Sequence, residues 1–530
     1  MTDKNDDKIG RRGFLGGTLG AAAGAGAASL LGQTAQAQPP AGPGAGRGGP
    51  PAGFGGRGGG GGGPSLSIAG VESTIYDCDI DGEIPSDLNG AFYRCGPDPQ
   101  YPLAPGNIAF DGEGHVGMFR IKNGRVDYRT RYVKNERWLA QNEAGRVLFP
   151  MYRNPAMDDP SVRGLSRSTA NTHVINHKGY ILALKEDSPP SAMDLLTLET
   201  VVPDYTFEGN LPSLTFTAHP KVDSNNGNIV AFGYEAEGHG SDVISMFEID
   251  KDTSEIVWDA KVNVPYVGLL HDFAVTRNFV VFYVIPFAID QDQMDRGGIH
   301  WSWDSEKPTY FGFVRRGGDG SDVQWIEGPS RSATHVMGAW DDDNQLYVDV
   351  EMSEGSPFPF MPNKDGSPWN PATGTSRMTR LRVDLSQRRP RAYSIEQLYP
   401  HVGALPRQDD RYNTENYRYG FLNCPNPHEA GGGATLTRFD NQTRTDTYFD
   451  FGNQMSLAEC CFAPKNANAR EGEGYLLSVA TNRAAGGRGE LVIMDAERLA
   501  DGPVAKVILP VPPTGQIHGW WVPEDQMPSA

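Results

Sequence analysis

From about residue 65 onward, apolar and polar positions alternate in short runs separated by turn-forming clusters. Residues 229–236 (IVAFGYEA), 243–250 (VISMFEID), 279–287 (FVVFYVIPF), 346–352 (LYVDVEM), 378–385 (MTRLRVDL), 475–481 (YLLSVAT) and 490–495 (ELVIMD) have the β-branched and aromatic content of strands. Between such runs, residues 122–125 (KNGR), 223–228 (DSNNGN) and 317–322 (GGDGSD) supply the positive-φ positions that tight hairpins demand. Helical periodicity is weak, and residues 395–399 (IEQLY) read as one or two helical turns. The pattern predicts an all-β chain. Many antiparallel strands leave exposed edges unless the sheets close or repeat radially, so a β-propeller fits best. No strict repeat marks the blades, so their number is not set by self-similarity. The Pro-rich stretches 353–375 and 400–433 are expected to be insertions capping one face.

The first 64 residues break this pattern. Arg11 and Arg12 precede a Gly/Ala-rich apolar stretch, and Ala35-Gln36-Ala37 fits a small-x-small cleavage site. Residues 1–37 are therefore expected to be a twin-arginine signal peptide, which implies export of the folded protein by the twin-arginine machinery to the periplasm. The apolar stretch is short for a membrane span. Residues 38–64 form a Gly/Pro-rich linker that cannot bury a core, which leaves residues 65–530 as the propeller domain.

Composition narrows the function. A chain of 530 residues with a net charge of −19 lacks the basic footprint that nucleic acid or an anionic membrane surface requires. The five cysteines, Cys78, Cys95, Cys424, Cys460 and Cys461, are an odd number without CxxC spacing, which fits neither a zinc site nor a disulfide framework. A Cys78–Cys95 or Cys95–Cys424 bridge stays open for a periplasmic protein. Walker loops, nucleophile elbows and dinucleotide fingerprints are missing from the sequence.

The eleven histidines divide by context. His177, His239, His300, His401 and His428 stand beside Gly, Pro or Lys in turn-like settings and are expected to be exposed. His219 (FTAHPK), His271 (LLHDFAVT), His335 (SATHVMGAW) and His518 (QIHGWW) instead open or follow strands, among small or apolar neighbours. No H-E-x-x-H signature is present, so a metal site would have to be assembled from distant strands, as the axis of a propeller allows. An all-imidazole site with open positions suits Fe(II). Spacing alone leaves two readings standing: four structural histidines, or four ligands.

The four histidine motifs, together with residues 90–100 (GAFYRCGPDPQ) and 110–114 (FDGEG), resemble the iron-ligand and neighbouring motifs of the carotenoid cleavage oxygenase family. The resemblance runs in unbroken order from about residue 70 to the C-terminus. It implies a seven-bladed propeller, with a cap of loops and short helices, that holds one Fe2+ through His219, His271, His335 and His518. It also implies glutamates that orient the imidazoles, matched by Glu186 and Glu459, and a threonine near the vacant iron position, matched by Thr172. A third glutamate is normal in a Glu-x-Pro-Arg stretch, where this chain has Ala404. One imidazole is therefore expected to have another partner: water, a backbone carbonyl or a displaced carboxylate.

Within that family the sequence resembles the lignostilbene dioxygenase branch, whose members cleave a phenolic stilbene with O2 into two aldehydes. There a lysine directly before the glutamate and a tyrosine bind the phenol, and an aromatic residue packs on the ring. Lys185, Tyr152 and Phe110 match. A lysine and a tyrosyl hydroxyl beside a phenol favour the phenolate, which enriches the alkene in electrons. His115 stands where methionine is common, and together with Ala404 this departure implies a shifted substrate or reduced activity. Two other readings remain: an apocarotenoid-cleaving oxygenase with the same iron, and a propeller that only binds a ligand.

Overall fold

The computed structural model describes residues 71–429, 432–513 and 515–528. The predicted signal peptide and linker lie outside the described residues. Seven antiparallel sheets of four or five strands stand around one axis, and a separate two-stranded hairpin pairs Phe287–Ile289 with Trp301–Trp303. This is the seven-bladed propeller that the resemblance implied. The innermost strands are His173–His177, Lys221–Val222, Phe273–Val275, Ser332–Asp341, Ala404–Gln408, Met455–Pro464 and His518–Pro523.

The ring is closed twice. The C-terminal strand His518–Pro523 pairs with Gly90–Pro97 as the innermost strand of the first blade, placing His518 opposite Cys95. The short strand Asp79–Gly82 pairs with Pro503–Ile508 as the outermost strand of the last blade. Closure brings the first and last blades together, and the edges that remain are the outermost strands of the individual blades. Gly519 is required at this seam, because a Cβ there would lie 2.6 Å from both Arg94 Cδ and the Tyr93 carbonyl oxygen.

Between blades the sheets pack through buried aromatic and aliphatic side chains. Phe232, Phe273 and Phe282 meet at ring separations of 4.8–6.2 Å, and Phe421 stacks on Phe462 at 5.5 Å. Burying one such side chain contributes roughly 1.5–3 kcal/mol, and each strand shares its two faces between neighbouring blades.

Several local expectations need correction. Residues 395–399 are not helical: Tyr393–Gln397 is the outer strand of the fifth blade, paired with Thr379–Val383, so sheet pairing overrides weak helical periodicity. A helix does occur at Glu136–Ala144, where the Asn135 side chain accepts the Trp138 N–H and Gly145 ends it in a left-handed conformation. The stretch 400–433 is not an insertion, since it supplies Ala404–Gln408 and Tyr419–Pro425 of the sixth blade. The stretch 353–375 does cap the site, bringing Phe358 and Phe360 onto Phe110. All five cysteines are free and buried, so neither bridge forms.

Candidate metal centre and substrate pocket

Each of the four strand-associated histidines sits at or near the start of an innermost strand, so the radial arrangement alone carries them to the axis. His219 and His271 stand two residues before the strands at Lys221–Val222 and Phe273–Val275, His335 lies within Ser332–Asp341, and His518 opens the last strand. Their ligand atoms lie within 4.8 Å of one another. His271 Nε2 is 3.2 Å from His219 Nε2 and 3.1 Å from His335 Nε2, while the rings of His219 and His518 are 4.5 Å apart.

These spacings fit a metal. Ligands at right angles around an ion about 2.1 Å away stand about 3.0 Å apart. Without an ion, Nε2 lone pairs facing each other this closely repel unless a proton is shared. His518 Nε2 is buried and has no hydrogen-bond partner among the described residues, a costly state that coordination would relieve. Burial, followed by the neighbouring imidazoles, pushes the His219 and His518 pKa values well below the usual histidine value. Both are therefore neutral and able to offer a lone pair.

Carboxylates fix the rings from outside. Glu186 accepts from His271 Nδ1 at 2.6 Å, Glu459 from His518 Nδ1 at 2.9 Å, and Glu351 from His335 Nδ1 at 2.9 Å. A proton held on Nδ1 turns Nε2 toward the axis as an acceptor. No sequence motif marks Glu351, yet it is the displaced carboxylate. It stands on Gln345–Ser353, the strand paired with that of His335, and Leu405 N–H, next to Ala404, reaches the same carboxylate oxygen at 3.4 Å. His219 has no carboxylate partner among the described residues. Burial opposes ionisation of Glu186, but Lys185 and His271 overcome it and hold that carboxyl well below the usual range.

β-Bulges set these directions. Register shifts interrupt the pairing at Ala333–Gly338 around His335, at Ala404–Arg407, and at Leu457–Cys460 around Glu459. Each re-aims a side chain that regular alternation would point elsewhere. Asp272 adds a tie between blades: it accepts Val336 N–H at 2.8 Å and pairs with Lys221 at 2.7 Å, locking the residues beside His271, His335 and His219 together.

The residues expected at the substrate gather on the side where the innermost strands begin. Lys185 and Tyr152 are both buried, with the Lys185 ammonium 5.3 Å from the Tyr152 ring centre and 3.6 Å from Glu186. Burial, then the Glu186 charge, keeps Tyr152 protonated as a hydroxyl. Phe110 packs edge-on to Phe360 at 4.9 Å and to Phe358 at 5.9 Å. Thr172 is buried, with its hydroxyl donating to Asn171 at 3.0 Å; Asn171 in turn binds the Phe110 carbonyl at 2.7 Å.

Other histidines fall differently from expectation. His177 and His300 are buried rather than exposed: His177, the last residue of its strand, packs on Phe207 at 5.5 Å and bonds Ser254 at 2.8 Å, and His300 packs edge-on to Trp301 at 4.1 Å. His115 packs edge-on against Tyr132 at 4.8 Å. The sequence around His173 carries no ligand motif, yet its ring lies 5.5 Å from that of His219 and 5.4 Å from that of His518. Its ring nitrogens face the Ala218 and Gly519 carbonyls, so it buttresses the backbone beside both His219 and His518.

Residues 69–523 match the family described as RPE65, retinal pigment epithelial membrane protein. The chain is 35% identical over 475 residues to lignostilbene-α,β-dioxygenase isozyme III of Sphingomonas paucimobilis, covering 87% of this chain and 96% of that one. It is 36% identical over 461 residues to isoeugenol monooxygenase of Pseudomonas putida, covering 85% and 95%. The crystal structure of Pseudomonas brassicacearum lignostilbene dioxygenase superposes with a TM-score of 0.82 at 36% identity, covering 86% of this chain and 97% of that one.

Proposed function

The chain belongs to the RPE65/carotenoid cleavage oxygenase family, and from that premise we propose that it is a dioxygenase that uses Fe(II) to split the alkene of a phenolic stilbene into two aromatic aldehydes. Both atoms of O2 end in the two carbonyls, so no outside reductant is needed. His219, His271, His335 and His518 would hold the iron, which supplies the binding and activation of O2.

The remaining work falls to the protein's own side chains. Glu186, Glu351 and Glu459 hold a proton at the Nδ1 of their imidazoles and keep the Nε2 atoms aimed inward. Lys185 and Tyr152 grip the phenol, and the ammonium favours its phenolate. Phe110, Phe358 and Phe360 pack the aromatic body of the substrate and exclude water.

One observation carries this reading. The Lys185 ammonium stands between the Tyr152 ring, 5.3 Å away, and Glu186, 3.6 Å away, and Glu186 holds His271 at 2.6 Å. The phenol end and the metal end thus share one chain of contacts, which fixes a gripped phenol in register with the alkene position. Because one relative is an isoeugenol monooxygenase, a propenyl phenol is a second substrate to assay. Aerobic incubation of the iron-loaded protein with 4-hydroxystilbene and with isoeugenol is expected to release aromatic aldehyde. With iron bound and no aldehyde from either compound, the substrate class is wrong.

Export is part of the proposal. Arg11-Arg12 and Ala35-Gln36-Ala37 support twin-arginine transport to the periplasm. N-terminal sequencing of the protein from a periplasmic fraction is expected to begin at Gln38; an intact leader in the cytoplasmic fraction alone would contradict it.

A further inference from the structure

Behind the phenol end lies a second group of titratable residues, Arg153, Glu235, His239 and His300, that the oxygenase chemistry leaves unused. Glu235, His239 and His300 bring metal-type donor atoms within 4.8 Å of one another. The carboxylate, however, already has its cation. The Arg153 guanidinium pairs with one oxygen of Glu235. The other oxygen accepts Gly240 N–H at 2.5 Å and lies 3.3 Å from His300 Nε2.

Arg153 is held on every side. It is only 5% exposed, donates to the Tyr234 hydroxyl at 2.6 Å, and lies 5.1 Å from the Tyr234 ring centre and 5.2 Å from that of Trp301. Its Nε is 3.9 Å from Asp187, two residues after Lys185. Cation–π contacts and an ion pair inside the protein restrict a guanidinium far more than either does at a surface.

The backbone shows what this anchoring does. Arg153 has φ of 51°, a left-handed conformation that an arginine keeps only when its surroundings hold it. The turn sends the Arg153 side chain into the anchor, while Tyr152, one residue earlier, faces Lys185. The Tyr152 N–H donates to Asn107 Oδ1 at 2.9 Å, and its carbonyl accepts His300 N–H at 3.2 Å, so the same group also pins that backbone.

We propose that Arg153 is the positioning residue of the phenol end: anchored by Glu235, Tyr234 and Trp301, it locks the turn that aims Tyr152 at Lys185 and, through Asp187, steadies the strand end that carries Lys185. The inference rests on the phenol-binding role given above to Tyr152 and Lys185. Arg153 itself touches neither substrate nor metal.

A double-mutant cycle on 4-hydroxystilbene cleavage tests it, with R153Q, K185M and the double variant, each assayed at known iron content. R153Q alone is expected to lower kcat/KM about 10- to 100-fold, mostly through KM, with iron content unchanged. In the K185M background the same substitution is expected to change kcat/KM less than about twofold, because the Lys185–Tyr152 pair that the turn aligns is already broken. Equal losses in both backgrounds would show a merely structural role and overturn the proposal. If R153Q does not fold, R153K, which keeps the charge and loses the planar fork, takes its place in the cycle with the same expected non-additivity. A wild type that neither binds nor cleaves the stilbene overturns the phenol reading itself. Equally tight stilbene binding by wild type and R153Q preserves that reading and overturns only the positioning role. A second bound Zn2+ that disappears in H300F would give Glu235 to a metal instead of Arg153, and also overturns it.

Discussion

The Nδ1 of His335 lies 2.9 Å from Glu351, a carboxylate on the adjacent strand of its own blade, while the inner strand of the next blade presents Ala404. The acid that the Glu-x-Pro-Arg pattern would place at 404 is thus supplied from another strand. Removing it as E351A is expected to weaken metal binding about 10- to 100-fold, as loss of an outer partner of a ligating histidine typically does. Adding A404E to that variant is expected to recover part of the loss, because Leu405 N–H already reaches Glu351 at 3.4 Å. Competition with a metal-sensitive chelator measures both; unchanged affinity in E351A would remove Glu351 from the site.

Lys185 is expected to separate substrate classes. K185M removes the buried ammonium beside Tyr152 and Glu186, and is expected to lower kcat/KM for 4-hydroxystilbene by about 100-fold through lost positioning. Cleavage of an apocarotenoid, which offers no phenol, is expected to respond weakly. Steady-state kinetics on the two substrates decide between phenolic and carotenoid chemistry.

Closure of the ring depends on Gly519. G519A would drive a methyl group against Arg94 Cδ and the Tyr93 carbonyl, both 2.6 Å away. Overpacking of this kind typically costs about 1–3 kcal/mol. Because His518 is the preceding residue, iron content is expected to fall along with the urea midpoint. An unchanged midpoint would show that the seam relaxes freely.

Acid should destabilise the fold partly through His177. Burial, and then the Lys178 charge, lowers its pKa to about 4, and its ring nitrogen bonds Ser254 at 2.8 Å. The unfolded chain binds this proton near pH 6.5 and the folded chain only near pH 4. Stability is therefore full above that window and lost as pH falls through it, by on the order of 3 kcal/mol. H177Q is expected to flatten the fall in unfolding free energy between pH 7 and pH 4. An identical pH slope in H177Q and wild type would contradict this.

The fold class was legible because strand periodicity and turn chemistry are local properties of the chain. The short runs near residues 229–236 and 475–481 mark two of the blades' strands. The four histidines were visible as motifs, but their convergence depends on radial geometry that no local pattern encodes. Glu351 was missed for a related reason. It sits in LYVDVEM, a stretch that reads only as a strand, and it faces His335 because bulges at Ala333–Gly338 re-aim that histidine. His300 and His177 were misplaced because a turn context predicts exposure only when nothing covers the turn. The helix Glu136–Ala144 did have signals in Asn135 and Gly145, which the prevailing strand pattern obscured.

Anomalous diffraction at the iron edge from crystals of the Fe(II)-loaded protein tests the central claim most directly. One peak is expected on the propeller axis, about 2.1 Å from the Nε2 atoms of His219, His271, His335 and His518. Iron bound elsewhere, or a peak that one of these four nitrogens does not reach, would contradict it.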